Sequence, residues 1–183
     1  MTSHSTLVVV SGPPGSGKTT LAHEIARAVG CPAVCRDEIK EGMVRATPGF
    51  VPRPGDDLTM RTLPAFFGLL ELLLTAGVTT VAEAAFQDRI WLPRLAPLLP
   101  LARIRIVHCV VEPELAFQRI VLRRTASTVR AAHADPGPHD AADYIRRHLT
   151  FDRVSLDALQ IEVNTTSGYC PGLDQILTFI NGS

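Results

Sequence analysis

The chain has 183 residues, 46% of them hydrophobic, and its 18 basic and 18 acidic side chains leave a formal net charge of zero. This length fits one domain with a substantial core. The neutral balance provides no overall attraction to polyanions, which argues against nucleic acid as the main partner.

Residues 1–6 lack the basic and apolar regions of a secretory signal. The most apolar stretch, residues 63–78, is interrupted by Pro64, Gly68 and Glu71 and is shorter than the ~20 residues that a bilayer span needs. We therefore expect a cytoplasmic protein without membrane contact.

The first half of the chain alternates short apolar runs with stretches of helical spacing. We predict a strand at 6–10, a helix at 18–29, a strand at 33–35, a helix at 38–46 capped by Asp37, and a loop at 50–57.

The second half continues this alternation. We predict a helix at 58–76, a strand at 78–83, a short helix and loop within 87–101, a strand at 104–111, a helix at 113–124, a mobile segment at 125–140, a helix at 141–149, a strand at 158–164 and a helix at 172–180. Apolar strands that alternate with helices are typical of a parallel sheet covered on both faces. The sequence therefore predicts an α/β protein with a three-layer α/β/α sandwich.

The four cysteines are Cys31, Cys35, Cys109 and Cys170, and none of them forms a C-x-x-C pair. Paired spacing is the usual sign of a zinc site, and disulfides are rare in the cytosol. The sequence therefore predicts buried thiols, with neither zinc nor disulfides.

A glycine-rich segment between the first strand and the first helix fits the pattern G-x-x-x-x-G-K-[ST]. Glycines let the backbone point successive N–H groups at phosphate oxygens, and the helix that follows presents its positive end to them. Lys18 supplies a charge for the terminal phosphates, and Thr19 supplies a hydroxyl for Mg²⁺. The alternative, a glycine-rich turn with one exposed lysine, does not explain why one of only two lysines stands here. The predicted nucleotide-binding residues of this P-loop are Gly12, Pro13, Pro14, Gly15, Ser16, Gly17, Lys18, Thr19 and Thr20.

With the P-loop in place, the chain resembles the AAA-type single-domain P-loop kinases that include the polynucleotide 5′-kinase domain, zeta-type toxins and chloramphenicol 3-O-phosphotransferase. The resemblance covers nearly the full length. It rests on the P-loop, on Arg36-Asp37-Glu38 after the second strand, on Glu83 at the end of the third strand and on Arg119-x-x-x-Arg123. It implies one nucleoside-kinase-like domain over residues 1–183, strand order 2-3-1-4-5, a lid at about 125–140, and Mg·ATP as the phosphate donor.

In this family, the acid after the second strand accepts the proton of the attacking hydroxyl, and Asp37 stands at that position. The alternative is that Asp37 only caps the helix beginning at Glu38. Arg36 is then expected near the acceptor or the phosphates. Lys40, one helical turn on, reaches the same cleft or faces water.

Glu83 replaces the aspartate that usually follows the third strand, so the resemblance leaves open whether Glu83 serves the metal or the acceptor; a solvent-facing strand end is the alternative. Arg119 and Arg123 share a helix face, and in related kinases such arginines close over the nucleotide. A plain basic helix face is the alternative. Arg124 adjoins them, and Arg130 is a weaker candidate.

Acceptor specificity is expected from residues 50–67 and 86–92. Phe50 and Trp91 are the candidate pocket residues because they lie among loop residues, whereas Phe66 and Phe67 are expected in the core.

Three functions remain open from the sequence. The first is an ATP-dependent kinase that phosphorylates a hydroxyl of a small molecule, such as a metabolite or an antibiotic. The second is a nucleotide or polynucleotide 5′-hydroxyl kinase, which needs a basic groove with stacking aromatics. The third is an ATP-binding regulatory module that hydrolyses ATP slowly. The sequence also leaves a homodimer open.

Overall fold

The computed structural model describes residues 5–53, 55–126, 133 and 137–182. Five parallel strands form one sheet in the order β2-β3-β1-β4-β5, which confirms the predicted order. The strands are β1 (Thr6–Ser11), β2 (Ala33–Cys35), β3 (Thr80–Glu83), β4 (Arg103–Val110) and β5 (Leu159–Asn164). The helices are α1 (Lys18–Val29), α2 (Arg36–Arg45), α3 (Asp57–Thr75), α4 (Asp88–Leu95), α5 (Pro113–Ala126), α6 (Ala141–Leu149) and α7 (Leu173–Asn181).

The central strand β1 shows how the three layers arise from the sequence. All six of its residues are buried, and alternate side chains face opposite sides of the sheet. Leu7 and Val9 pack with Phe66 of α3, whereas Val8 and Val10 pack with Leu21 of α1. Helices α3 and α4 thus cover one face and α1 and α7 the other, which confirms the predicted sandwich.

Two arginines of β4 anchor the end of the closing helix. Arg103 and Arg105 each donate to the carbonyl of Gly182 at 2.8 Å, and Arg103 also donates to Ile180 O at 3.2 Å. The last carbonyls of a helix have no partner within it, so these bonds fix the C-terminal end of α7 to the sheet.

Helix α2 begins at Arg36 rather than Glu38, and its N-cap residue is Cys35. Asp37 therefore lies within the first turn, and the capping role considered for it is wrong. Strand β3 begins at Thr80 rather than residue 78, because Val78 N still donates to Leu73 O at the end of α3.

Helix α3 is, among the described residues, the one helix long and apolar enough to cross a bilayer by length and composition. Core helices pass the same test. Phe66, Leu70 and Leu74 of α3 are buried against the sheet, as expected for such a helix.

Lys40 neither lines the cleft nor faces water, so both alternatives considered for it are wrong. Its ammonium lies 2.9 Å from Asp56 Oδ2, and both side chains are buried. Asp56 also accepts from Thr59 N at 2.7 Å as the N-cap of α3. Burial alone would raise the pKa of Asp56, but Lys40 and the backbone N–H groups of Thr59 and Arg53 hold it well below its usual range. The pair joins α2 to the start of α3.

We predict that Asp56→Asn destabilises the fold by about 3–5 kcal/mol, because it leaves the Lys40 charge buried without its partner. Urea unfolding measures the change. The control Glu162→Gln breaks the exposed pair between Arg153 and Glu162 and should cost less than about 1 kcal/mol. Equal losses of unfolding free energy in the two variants would contradict the assignment of Lys40 and Asp56 as a buried, stabilising ion pair.

The same ion pair gives a pH dependence. The folded-state pKa of Asp56 lies below its ordinary value of 3.8, so the stabilisation is complete above that value and is lost as the pH falls through the folded-state pKa. The stability gap between wild type and Asp56→Asn should therefore narrow in acid.

Candidate active site

The loop between β1 and α1 passes unusually close to its neighbours. A Cβ atom at Gly12 would lie 2.5 Å from Cys109 O, and one at Gly15 would lie 2.4 Å from Ala116 O. Gly15 and Gly17 also have φ values of +78° and +77°, which favour glycine. Larger residues at Gly12 or Gly15 would push this loop away from β4 and α5.

Side chains from two distant segments hold the loop in place. Thr165, after β5, donates its hydroxyl to Ser16 O at 2.8 Å. Tyr144 of α6 donates its hydroxyl to Pro14 O. Burial raises the pKa of Tyr144 to about 12, although Arg123 opposes the shift, so the phenol keeps the proton that it donates. Two loop carbonyls, those of Pro14 and Ser16, are thus bound by side chains from outside the loop, while Ser16 N donates within the loop to Pro13 O at 3.2 Å.

Lys18 and Thr19 begin α1 directly beside the end of β3. Thr19 donates its hydroxyl to Glu83 Oε2 at 3.1 Å, and Lys18 Nζ lies 3.7 Å from Glu83 Oε1. Glu83 is buried because β3 lies between β1 and β2, in register with Val10 and Cys35. Burial raises the pKa of Glu83; Lys18 opposes the shift and nearby Asp37 adds to it. A hydroxyl and a carboxylate side by side are oxygen donors of the kind that Mg²⁺ prefers.

Asp37 lies across from this cluster. It lines a cavity of about 290 Å³ together with Lys18, Thr19, Glu83 and Trp91, which we call the Asp37 cavity. Arg36 lines the same cavity and donates to Asp37 Oδ1 at 3.1 Å. Trp91 is only 6% exposed and packs edge-on against the Phe86 ring, with the centroids 4.7 Å apart. Trp91 is therefore both a core residue and a wall of the cavity.

A second cavity, of about 470 Å³, lies on the other side of the loop and is lined by Gly17, Thr20, Arg119 and Tyr169; we call it the Arg119 cavity. Arg119 Nη2 donates to the carbonyls of Thr165 at 2.7 Å and Thr166 at 3.3 Å. These bonds fix the guanidinium beside the P-loop. Asn164 accepts from Thr166 N at 2.8 Å and shapes this turn.

Gly15 and Arg123 line both cavities. A ligand that occupied the Arg119 cavity and extended past Gly15 would therefore bring its far end to Lys18 and Asp37. The three cations Lys18, Arg36 and Arg123 surround that point. These positive charges favour the binding of an extended polyanion whose end lies opposite the carboxylate of Asp37.

The remaining predicted residues are placed differently. Gly12 and Pro13 contribute to the back wall of the loop, beside His108 and His148. The side chain of Ser16 is buried. Phe50 lines neither the Asp37 cavity nor the Arg119 cavity, and Lys40 is held by Asp56. We therefore leave Phe50 and Lys40 out of the proposed site.

Three site residues were not singled out by the sequence: Gln87 in the Asp37 cavity, Tyr169 in the Arg119 cavity, and Tyr144 behind the loop. Gln87 lies in the stretch already expected to line the acceptor site. A single tyrosine such as Tyr144 carries no sequence signal, because its contact with Pro14 joins residues 130 positions apart.

The predicted lid, and with it Arg130, falls mostly outside the described residues. Within it, His133 Nε2 lies 3.0 Å from Glu41 Oε1 of α2. This contact joins the segment after α5 to the helix that carries Asp37.

The model of one family, described as AAA domain, matches residues 7–137. A candidate kinase from Chloroflexus aurantiacus is 21% identical, with a TM-score of 0.85 over 97% of each chain. A sugar kinase from Janibacter sp. is 20% identical, with a TM-score of 0.66 over 98% of this chain and 95% of its own. A gluconokinase from Sinorhizobium meliloti is 18% identical, with a TM-score of 0.59 over 97% and 91%. Identities this low show a shared fold. No curated protein matches the sequence.

We predict that Gly15→Ala lowers both the stability of the protein and its nucleotide binding far more than Gly30→Ala does. Both glycines have a φ near +77°, so each substitution costs ~1–2 kcal/mol of backbone strain. Only Gly15 faces a backbone oxygen at short range, whereas a Cβ at Gly30 meets open space; the clash adds ~1–3 kcal/mol. Thermal unfolding and calorimetric nucleotide titration measure the two effects. Equal losses would show that the close approach to Ala116 is unimportant.

Proposed function

The chain belongs to the AAA domain family, and from this premise we propose that it transfers the γ-phosphate of ATP to a hydroxyl group of a small molecule. The observation that carries the proposal is that Asp37 lines the same cavity as Lys18 and Thr19 of the P-loop. A carboxylate that faces a polyphosphate site is suited to deprotonate an attacking hydroxyl.

In this proposal, the nucleoside of ATP occupies the Arg119 cavity and the phosphates follow the loop past Gly15. The backbone N–H groups of the loop and the N-terminus of α1 donate to the phosphate oxygens. Lys18 neutralises charge on the terminal phosphates. Arg119, held by Thr165, orients its guanidinium toward the base.

Thr19 and Glu83 would hold Mg²⁺, because their oxygens are only 3.1 Å apart at the phosphate end of the cavity. The ion supplies charge neutralisation on the transferring phosphoryl group. Burial favours the protonated form of Glu83, so a cation beside it would favour the carboxylate. In this proposal Glu83 therefore serves the metal rather than the acceptor.

Asp37 would orient the acceptor hydroxyl and take its proton as the new phosphorus–oxygen bond forms. Arg36, which donates to Asp37 Oδ1 at 3.1 Å, would hold this carboxylate in position at the wall of the cavity. Arg123 lines both cavities and would stabilise the negative charge of the phosphoryl group in transit.

The Asp37 cavity supports a small acceptor. Its volume of about 290 Å³ must hold both the acceptor and the end of the triphosphate. Arg36 and Gln87 supply polar contacts and Trp91 an apolar wall, a combination suited to a compact hydroxylated molecule. Sugar kinase and gluconokinase are the names of two proteins with this fold, and they favour the same class of acceptor.

The polynucleotide and regulatory alternatives make different predictions. A polynucleotide kinase requires a basic groove beyond the cavity, and the chain is neutral overall. A slow ATPase switch has no need of a carboxylate opposite Lys18. The cytoplasmic location and a homodimer stay predictions.

The experiment that tests the proposal is an ATP-consumption screen over hydroxylated metabolites, antibiotics, nucleosides and a 5′-hydroxyl oligonucleotide, with mass spectrometry of the products. One small molecule should strongly accelerate turnover and gain one phosphate. Uniformly slow hydrolysis with every acceptor would instead favour the regulatory module.

We predict that Asp37→Asn lowers kcat for transfer by ~10²-fold or more, because asparagine cannot accept the hydroxyl proton. ATP affinity should stay nearly unchanged. Steady-state kinetics and calorimetry separate the two effects. The matched control Asp174→Asn changes an exposed aspartate in α7 that lines neither cavity, and it should retain wild-type rates. A loss of ATP affinity with an unchanged rate would count against the base role.

We predict that Lys18→Ala reduces transfer by ~10²–10³-fold or more, since it removes a charge aimed at the transition state. It also releases Glu83 from its ion pair, so thermal unfolding must first show that the variant is folded. Full transfer activity in a folded Lys18→Ala variant would contradict the assignment of the P-loop to the active site.

A further inference from the structure

We propose that His23, Cys35 and Glu38 form a binding site for a thiophilic divalent cation such as Zn²⁺, separate from the phosphate site. The imidazole of His23, the thiol of Cys35 and the carboxylate of Glu38 place their ligand atoms within 4.8 Å of one another. No C-x-x-C pattern in the sequence indicates this group, because its three members come from α1, β2 and α2.

The distances suit coordination by one ion. His23 Nε2 lies 3.7 Å from Cys35 Sγ and 2.6 Å from Glu38 Oε1. Ligand atoms around tetrahedral zinc lie roughly 3.2–3.8 Å apart, from bond lengths of about 2.0–2.3 Å. The His23–Cys35 spacing already matches. The His23–Glu38 distance is too short, so the Glu38 carboxylate would have to move away from His23. Its exposed position in the first turn of α2 allows this movement.

The burial of the three side chains fits a partly open site. Cys35 is 2% exposed, whereas the side chains of His23 and Glu38 are 43% and 47% exposed. A cation would therefore enter from solvent between the two exposed ligands and meet the thiol at the base. Water would complete the coordination, and the thiol proton would pass to solvent as the metal–sulfur bond forms.

The donor set also selects the cation. Sulfur and imidazole nitrogen favour Zn²⁺ and Co²⁺ over Mg²⁺, which prefers oxygen. The site is thus chemically distinct from the pair of oxygens on Thr19 and Glu83. The two are nevertheless neighbours, since Cys35 lies in register with Glu83 on the adjacent strand. A bound cation would brace α1 against the start of α2, next to Asp37.

The experiment uses the full-length, reduced and metal-free protein, titrated with Co²⁺ as the spectroscopic probe. One equivalent should produce a thiolate-to-cobalt charge-transfer absorption, which Zn²⁺ then displaces. Cys35→Ser should lose this band, and the control Cys170→Ser, which changes an exposed free thiol, should keep it. Co²⁺ at Thr19 and Glu83 gives no thiolate band, so the two sites are distinguished.

Two further variants can test the proposal if Cys35→Ser folds poorly. His23→Gln and Glu38→Gln should each weaken Co²⁺ binding by at least about tenfold, the lower end of what even outer-sphere partners contribute. Zn²⁺ should also raise the Tm of the wild type by ~2 °C or more, and leave that of Cys35→Ser unchanged.

The proposal is overturned if the wild type gives no thiolate band, or if Cys35→Ser retains it. In that case His23 and Glu38 form only a hydrogen bond between two helices. None of these readouts uses phosphotransfer, so the result is independent of the proposed kinase activity.

Discussion

The site depends on a close contact between the backbone of the P-loop and the backbones of its neighbours. Two glycines, which have no Cβ atom, permit this contact. Gly12 and Gly15 let the P-loop lie against Cys109 and Ala116 at distances where any Cβ would collide. Once the loop is seated there, Thr165 and Tyr144 bind its carbonyls. These contacts fix the shape of the loop. In the proposed reaction, donors preorganised in this way would need no rearrangement when charge develops in the transition state.

The parallel sheet determines which residues meet at this loop. Strands β1, β2 and β3 end side by side, with Val10 and Cys35 in register with Glu83. The residues that follow each strand are therefore neighbours, although long stretches of chain separate them. This is the edge at which open α/β sheets bind ligands. The same register places the His23–Cys35–Glu38 group beside the cleft.

The fold and the P-loop could be predicted because their signals are local. A short apolar run rich in β-branched residues identifies β1, and glycine and lysine spacing identifies the loop between β1 and α1. Lys40 shows where local reasoning fails. Its position one helical turn after Asp37 left either the cleft or water open, yet its partner is Asp56, 16 residues away. Tyr144 and the His23–Cys35–Glu38 group were missed for the same reason, since only the folded chain brings their members together.

The contacts of the chain's two lysines differ in a way that fits a structural role for Lys40 and the proposed phosphate-binding role for Lys18. Lys40 lies 2.9 Å from Asp56, whose oxygens also accept two backbone N–H groups, so this pair is fully engaged. Lys18 lies 3.7 Å from Glu83, whose other oxygen accepts from Thr19. The longer distance makes this a weak pair in which Lys18 keeps donors for another anion. The Lys18 side chain is only 11% exposed, so its ammonium benefits from the counter-charge of Glu83; in the proposed function, a phosphate would supply a second counter-charge.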